Sequence, residues 1–233
     1  MMNKEEKDVR LNVAAWEERS TVNGPGERFV LWVQGCPFRC QGCFNPDYLH
    51  FNERASFGVE ELVERIKSVP GIEGVTFSGG EPMAHARALY FLSKELKKSN
   101  LTIVCYSGYT LEELNQSSDP WVAHLVSCLD ILIDGRYDKQ QQANLRWRGS
   151  ANQRVHLLTS AYAHLAGEIN ERRKEVELII GEKGFVTTGI FEVEFLNQLE
   201  RVLNEGSRVA DSETLTRKEE QSYERAKVFN NQS

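Results

Sequence analysis

Phe29-Val-Leu-Trp-Val33 runs through Gln34-Gly35 into Cys36-Pro-Phe-Arg-Cys40-Gln-Gly-Cys43. The apolar run fits a strand buried on both faces, because neither alternate set of its side chains is polar. Three thiols then follow at intervals of four and three residues. A strand ending in such a loop can turn all three sulfurs toward one point, and three thiolates from one loop read as a soft-metal site. Three is also one fewer than a closed zinc site or a fully protein-ligated iron–sulfur cluster requires. Either a fourth protein group comes from elsewhere, or one coordination position is left open.

On either side of this stretch, strands and helices alternate. Arg10 to Trp16 reads as a short strand, and Asn23-Gly-Pro-Gly-Glu27 as a turn. Val59 to Val69 has Leu62, Val63 and Ile66 at helical spacing, with Glu60 and Glu61 in the first turn, where they favour the helix dipole. Gly74 to Ser78 is a strand closing in Gly79-Gly80-Glu81-Pro82, and Ala84 to Lys98 is a helix. Leu101 to Tyr106 is a strand closing in Ser107-Gly108, and Thr110-Leu-Glu-Glu113 is a capping box that opens another helix. Pro120 to Val126 is a short helix, and Leu129 to Ile133 a strand ending in Asp134-Gly135.

Arg136 to Asn152 shows no period and reads as a long loop, a feature often tied to function. Arg154 to Leu158 is a strand, Ser160 to Arg173 a helix, Glu175 to Ile180 a strand and Phe191 to Leu203 an amphipathic helix. From Glu205 onward the chain is polar, so the expected division is a core domain over 1–204 and a tail or solvated helix over 205–233. The alternation implies an α/β fold with a mainly parallel sheet. Four polar loops follow strands: Cys36–Cys43, Ser78–Pro82, Ser107–Thr110 and Asp134–Arg136. In a parallel sheet those strand ends share one edge, where ligands bind.

The bulk properties exclude several classes. Among 233 residues, 40% are hydrophobic, enough for a real core, and the net charge of -6 argues against a broad nucleic-acid-binding face. No apolar run approaches the ~20 residues of a membrane span. The charged N-terminus lacks the apolar centre of a secretory signal, so a cytoplasmic location is expected. Cys105 and Cys128 lie in apolar surroundings and read as small core residues.

A C-x-x-x-C-x-x-C loop after an early strand, with Gly-Gly-Glu-Pro further on, resembles the radical S-adenosylmethionine (SAM) enzymes. Within them the likeness is closest to the activating enzymes of glycyl radical enzymes, above all those acting on anaerobic ribonucleotide reductase. The segments that carry it are Gly24–Arg28, Gly35–Pro46, Phe77–Pro82, Tyr106–Thr110, Asp130–Gly135 and Arg148–Arg154. Gly42 before the third cysteine, with Phe44-Asn45 after it, matches that subfamily rather than one with an aromatic residue before the cysteine.

The resemblance implies a partial (β/α) barrel of radical SAM type. It implies one [4Fe–4S] cluster on Cys36, Cys40 and Cys43, its fourth iron open to the amino and carboxylate groups of SAM. One electron passed through the cluster would cleave SAM to methionine and a 5′-deoxyadenosyl radical, which would install a glycyl radical on the partner. Beyond cluster and SAM, no catalytic side chain is implied. SAM contacts are expected from Gly42, Cys43 and Phe44 along the adenine side, from Ser78, Gly79, Gly80 and Glu81 around the methionine part, and from Ser107 and Asp134. Implied partners are a glycyl radical enzyme, anaerobic ribonucleotide reductase in particular, and a flavodoxin- or ferredoxin-type electron donor; neither nucleic acid nor membrane is expected. Two other readings stand beside this one. One is a radical SAM enzyme acting directly on a small molecule or peptide. The other is a structural zinc module with His50 or a distant cysteine as fourth ligand, which leaves Ser78–Pro82 without a role.

Overall fold

In a computed structural model, the described residues are 4–172, 175–181 and 184–189, with the single positions 198 and 201. The chain divides into two compact units, Met1–Arg173 and Lys174–Ser233. The helix expected over 191–203 falls almost wholly outside the described residues, and the tail expected over 205–233 falls entirely outside them.

The first unit is built on a seven-stranded sheet. Its strands are β1 (Arg10–Ser20), β2 (Arg28–Val33), β3 (Ser56–Gly58), β4 (Gly74–Gly79), β5 (Thr102–Ser107), β6 (Ile131–Asp134) and β9 (Arg154–Leu157), in the order β3-β1-β2-β4-β5-β6-β9. The four central strands β2, β4, β5 and β6 are parallel, while β1, β3 and β9 join antiparallel at the flanks. The sheet is therefore mixed, with the expected parallel centre. β2 pairs Val33 with Gly79 of β4, and β5 pairs Ser107 with Asp134 of β6, so the parallel strands end near one edge.

The period-2 alternation of the strands sorts their side chains onto two faces. Phe29, Leu31, Val33, Val75, Phe77, Ile103, Cys105 and Leu132 belong to the main core. They meet helices α2 (Val59–Ser68), α3 (Ala86–Lys97) and α5 (Pro120–Val126) through Leu62, Ile66, Leu89, Leu92, Leu96 and Leu125, all fully buried. Each such side chain stabilises the fold by about 1.5–3 kcal/mol relative to exposure. Val104, Ile131 and Ile133 form a second cluster with Trp147, Tyr162 and Leu165. The first unit also holds α1 (Lys4–Lys7) and α4 (Leu111–Asn115), the latter opened by the Thr110–Glu113 capping box.

The stretch from Arg136 to Asn152 is not the open loop its sequence suggests. It holds a 3-10 turn at Lys139–Gln141 and a hairpin of β7 (Gln142–Leu145) and β8 (Arg148–Ser150). The strands are short and partly polar, and their turn carries Trp147 at φ +58° rather than the glycine or asparagine that signals such turns. Ser160–Arg173 is not an α-helix either: a 3-10 segment at Ser160–Leu165 gives way to turns. Tyr162 leaves helical geometry at φ -120°, and its hydroxyl reaches Thr102 at 2.7 Å. Cys105 is in the core as expected, but Cys128 is half-buried just past α5 and belongs to neither apolar cluster.

The second unit contributes β10 (Val176–Gly181) and β11 (Gly184–Gly189), an antiparallel pair running from Val176↔Gly189 to Gly181↔Gly184. β10 matches the strand expected from Glu175 to Ile180; β11 has no counterpart in the sequence reading.

Candidate functional site

The edge where the parallel strands end bears a cavity lined by residues from all four strand-end loops. Cys36, Cys40 and Cys43 border it, with Phe44 beside them and Ser78, Gly79, Gly80, Glu81 and Ser107 opposite. The strand-end reasoning thus brings together residues more than sixty positions apart. Gly42 does not line the cavity, and neither does Asp134. Its side chain is fully buried away from the cavity and accepts from the Leu111 N–H at 2.7 Å and from Arg154 at 2.6 and 3.1 Å. Burial pushes its carboxyl up, but Arg154, the Leu111 N–H and His156 outweigh that and hold it below its ordinary value. Asp134 therefore anchors the start of α4 to the end of β6.

The cysteine loop is closed by the backbone. Gly35 and Cys36 donate to the carbonyls of Tyr48 and Leu49 at 2.8 and 3.0 Å, so the chain from 35 to 49 forms a loop pinned at its ends. Gln34, 2% exposed, reinforces the closure by donating to the His50 carbonyl at 2.7 Å. Gly42 adopts φ +76°, a left-handed conformation that favours glycine, and so turns the chain before Cys43. Phe38 packs on Gly108, edge-on to Tyr109 at 4.7 Å, with the Arg136 guanidinium 4.3 Å over its ring. That contact ties the cysteine loop to the ends of β5 and β6.

Gly79 and Gly80 serve the protein's own backbone. A β-carbon on Gly79, at φ +103°, would lie 2.6 Å from the Val33 nitrogen, and one on Gly80 would lie 2.2 Å from the Gly35 carbonyl oxygen. The Gly80 and Glu81 N–H groups donate to Val33 and Gly35 at 2.8 Å each. The glycines thus let the β4 loop lie flush against the residues leading into Cys36. Gly80→Ala is expected to force these backbones apart, at about 1–3 kcal/mol, and to lower iron bound after anaerobic reconstitution. Full iron loading with an unchanged melting temperature would show that the close approach is not needed.

Glu81 is 1% exposed and spends its carboxylate on the protein. It accepts from the Met83 N–H at 2.9 Å, the Ser107 hydroxyl at 2.9 Å and the Gly108 N–H at 2.8 Å. Burial pushes its carboxyl up to about 7, against the pull of these three donors. Its oxygens therefore stitch the β4 loop to the β5 loop.

Burial raises the Cys36 thiol to about 11 and also raises Cys43. Burial thus favours the protonated form of Cys36 and Cys43, and iron must displace those protons as it binds. The donor set fits an iron–sulfur cluster. All three sulfurs edge one cavity; Cys36 feels both other thiols electrostatically, and Cys43 feels Cys40. Among the described residues no three Cys, His, Asp or Glu side chains are drawn tightly enough together to hold a single metal ion. The cavity lining includes neither histidine nor a fourth cysteine.

The family model for a 4Fe-4S single cluster domain matches residues 22–156, which contain all four loops. An anaerobic ribonucleoside-triphosphate reductase-activating protein from Vibrio cholerae is 36% identical over 162 residues, covering 64% of this chain and 99% of that protein. The protein of the same name from Enterobacteria phage T4 is 34% identical, covering 58% of this chain and 86% of its own length. The chain belongs to this family of activating proteins with a 4Fe-4S single cluster domain. QueE from Escherichia coli also overlaps with it, at 19% identity and a TM-score of 0.34 over 43% of this chain and 53% of its own, too partial a match to bear on the argument.

Within this activating-protein fold the cavity has further walls. Tyr106, Arg136, Tyr137 and Gln153 line it. Tyr137 packs edge-on against Phe44 at 5.1 Å, and Gln153 bridges the Gly149 N–H and the Gly135 carbonyl at 2.9 and 3.0 Å. Arg136 lies in the Asp134–Arg136 strand-end loop and Tyr137 is the next residue, while Tyr106 and Gln153 fall in the segments Tyr106–Thr110 and Arg148–Arg154 that carry the resemblance. The part of Gln153 in bracing the β7–β8 hairpin was not legible, because the hairpin itself was not.

Proposed function

We propose that this activating protein holds one [4Fe–4S] cluster on Cys36, Cys40 and Cys43, binds SAM in the adjoining cavity, and installs a glycyl radical on anaerobic ribonucleoside-triphosphate reductase. The observation that carries the reading is the meeting of three thiols and the Ser78–Glu81 loop around one cavity, in a chain whose relatives bear that activating name. When bound, the cluster supplies the electron that splits the SAM sulfonium into methionine and a 5′-deoxyadenosyl radical. The protein's part is to position and to exclude water. The cysteine loop sets the thiols, the flush Gly79–Gly80 loop forms the facing wall, and Phe44 and Tyr137 border the remainder, while Gly42 turns the chain into Cys43. Ser107, held to Glu81, shapes the floor.

In this reading the mixed sheet is the partial barrel of radical SAM proteins. A flavodoxin- or ferredoxin-type protein is the reductant, and the cytoplasm, where free thiols persist, is the site of action. Among the described residues no helix is long and apolar enough to cross a membrane. The test is to reconstitute the protein with iron and sulfide under anaerobic conditions, reduce it and add SAM. Methionine and 5′-deoxyadenosine in equal amounts are expected; an iron-loaded, reduced protein that leaves SAM intact would refute the reading.

A further inference from the structure

Arg39 stands between the first two cysteines of the loop, and its side chain folds back onto that loop. One guanidinium nitrogen, Nη1, donates to the Cys36 carbonyl at 2.7 Å and to the Phe38 carbonyl at 2.7 Å. Arginine stays charged under all conditions the protein meets. The fold therefore fixes a permanent positive charge on the backbone that joins two of the three thiol ligands. Arg39 does not line the cavity, so it neither competes with a ligand there nor touches one.

This placement matters because of what the thiol loop would carry. A cluster held by three thiolates is already net negative, and reduction adds another negative charge. Nearby charge and hydrogen bonding at the ligands are among the levers that set iron–sulfur potentials. A cation pinned to the loop by two hydrogen bonds favours the reduced form; Arg39 is exposed, so water and salt screen part of that effect, and the bonds hold the charge beside the ligand loop. Of the neighbouring cations, Arg136 lies over the Phe38 ring and Arg54 over the Tyr48 ring, while the Lys139 side chain passes beside Gly42.

We propose that Arg39 is a positioning residue that sets the reduction potential of the cluster, by holding its charge against the Cys36–Phe38 backbone. The inference rests on the iron–sulfur reading above. Failure of the wild-type protein to take up iron would defeat that reading; the comparison of variants tests Arg39 alone.

The experiment is an EPR-monitored redox titration of reconstituted wild-type protein, Arg39→Gln and Arg39→Lys, with iron measured on the same samples. Gln keeps an N–H donor but loses the charge; Lys keeps the charge. Arg39→Gln is expected to bind iron as the wild type does, and at a fixed potential its reduced-to-oxidised ratio should fall about tenfold, a shift of ~59 mV for one electron. Arg39→Lys should stay close to wild type. Three results would overturn the proposal: an unchanged potential in Arg39→Gln, an equal shift in both variants, or loss of iron from either one. The last would assign Arg39 to loop closure alone.

Discussion

Replacing Cys36, Cys40 or Cys43 by alanine is expected to strip iron from the protein and to reduce SAM cleavage to background. The loss should exceed the ~10–100-fold that removing an outer-shell partner of a metal site costs, because the proposal makes each thiol a direct ligand and, among the described residues, the cavity lining contains no spare cysteine or histidine to replace it. The loop closure makes the three effects alike, since all three positions lie within the segment pinned at 35–36 and 48–49. Cys105→Ala is the internal control. Its thiol is fully buried in the main core, on the strand behind the cavity, so this variant should keep its iron and lose only stability. Cys128→Ala should keep its iron too. Iron and sulfide analysis with visible absorption checks all five variants, and wild-type iron content in Cys43→Ala would show the ligand assignment to be wrong.

Arg28→Met is expected to be the most destabilising change far from the site, at about 3–5 kcal/mol. Arg28 is fully buried at the start of β2, at the opposite end of the parallel strands from the cysteines. Its Nε donates to the Thr76 hydroxyl at 2.9 Å, Nη1 to the Pro25 carbonyl at 3.1 Å, and Nη2 to the Val75 and Thr102 carbonyls at 2.9 Å each. Tyr162 joins the cluster, with its hydroxyl 3.1 Å from Nη1 and 2.5 Å from Glu73. Methionine fills similar space but leaves these oxygens without donors in a site that water does not reach. The same clamp explains Gly24-Pro-Gly-Glu-Arg28. A β-carbon on Gly24 would lie 2.8 Å from the Arg28 side chain, and one on Gly26 would lie 2.0 Å from the Glu73 carboxylate. Total stability of ~5–15 kcal/mol leaves little margin, so Arg28→Lys, which restores three donors, gives a second and milder point. Denaturant unfolding of the cluster-free proteins should rank wild type above Arg28→Lys above Arg28→Met. A loss under ~1 kcal/mol in Arg28→Met would mean that the buried network contributes little.

What the sequence revealed, and what it hid, follows from the range of the interactions involved. The central strands were legible because Phe29–Val33, Gly74–Ser78 and Leu101–Tyr106 are apolar runs ended by glycine or serine, and a parallel sheet brings such ends together whatever their separation. The capping box at Thr110 was legible because all its atoms lie within four residues. The position of Glu81 at the cavity was readable, but its bonds to Ser107 and Gly108 were not, because they depend on a loop twenty-six residues away. Gly80 lines the same cavity, and its close approach to the Gly35 carbonyl was hidden for the same reason. Asp134 read as a site residue because it ends a strand, yet the side chain is drawn off by Arg154 across the antiparallel β6–β9 pair. The β7–β8 hairpin and the 3-10 segment at Ser160 left no periodic trace, because contacts with Trp147 and Tyr162 hold them in place rather than local propensity.

The most direct test of the whole account is EPR of a mixture of reduced, cluster-loaded protein, SAM and anaerobic ribonucleoside-triphosphate reductase. A glycyl radical doublet on the reductase, dependent on SAM and lost with Cys43→Ala, is the predicted result. A protein that binds iron and cleaves SAM but leaves the reductase without that doublet would contradict it.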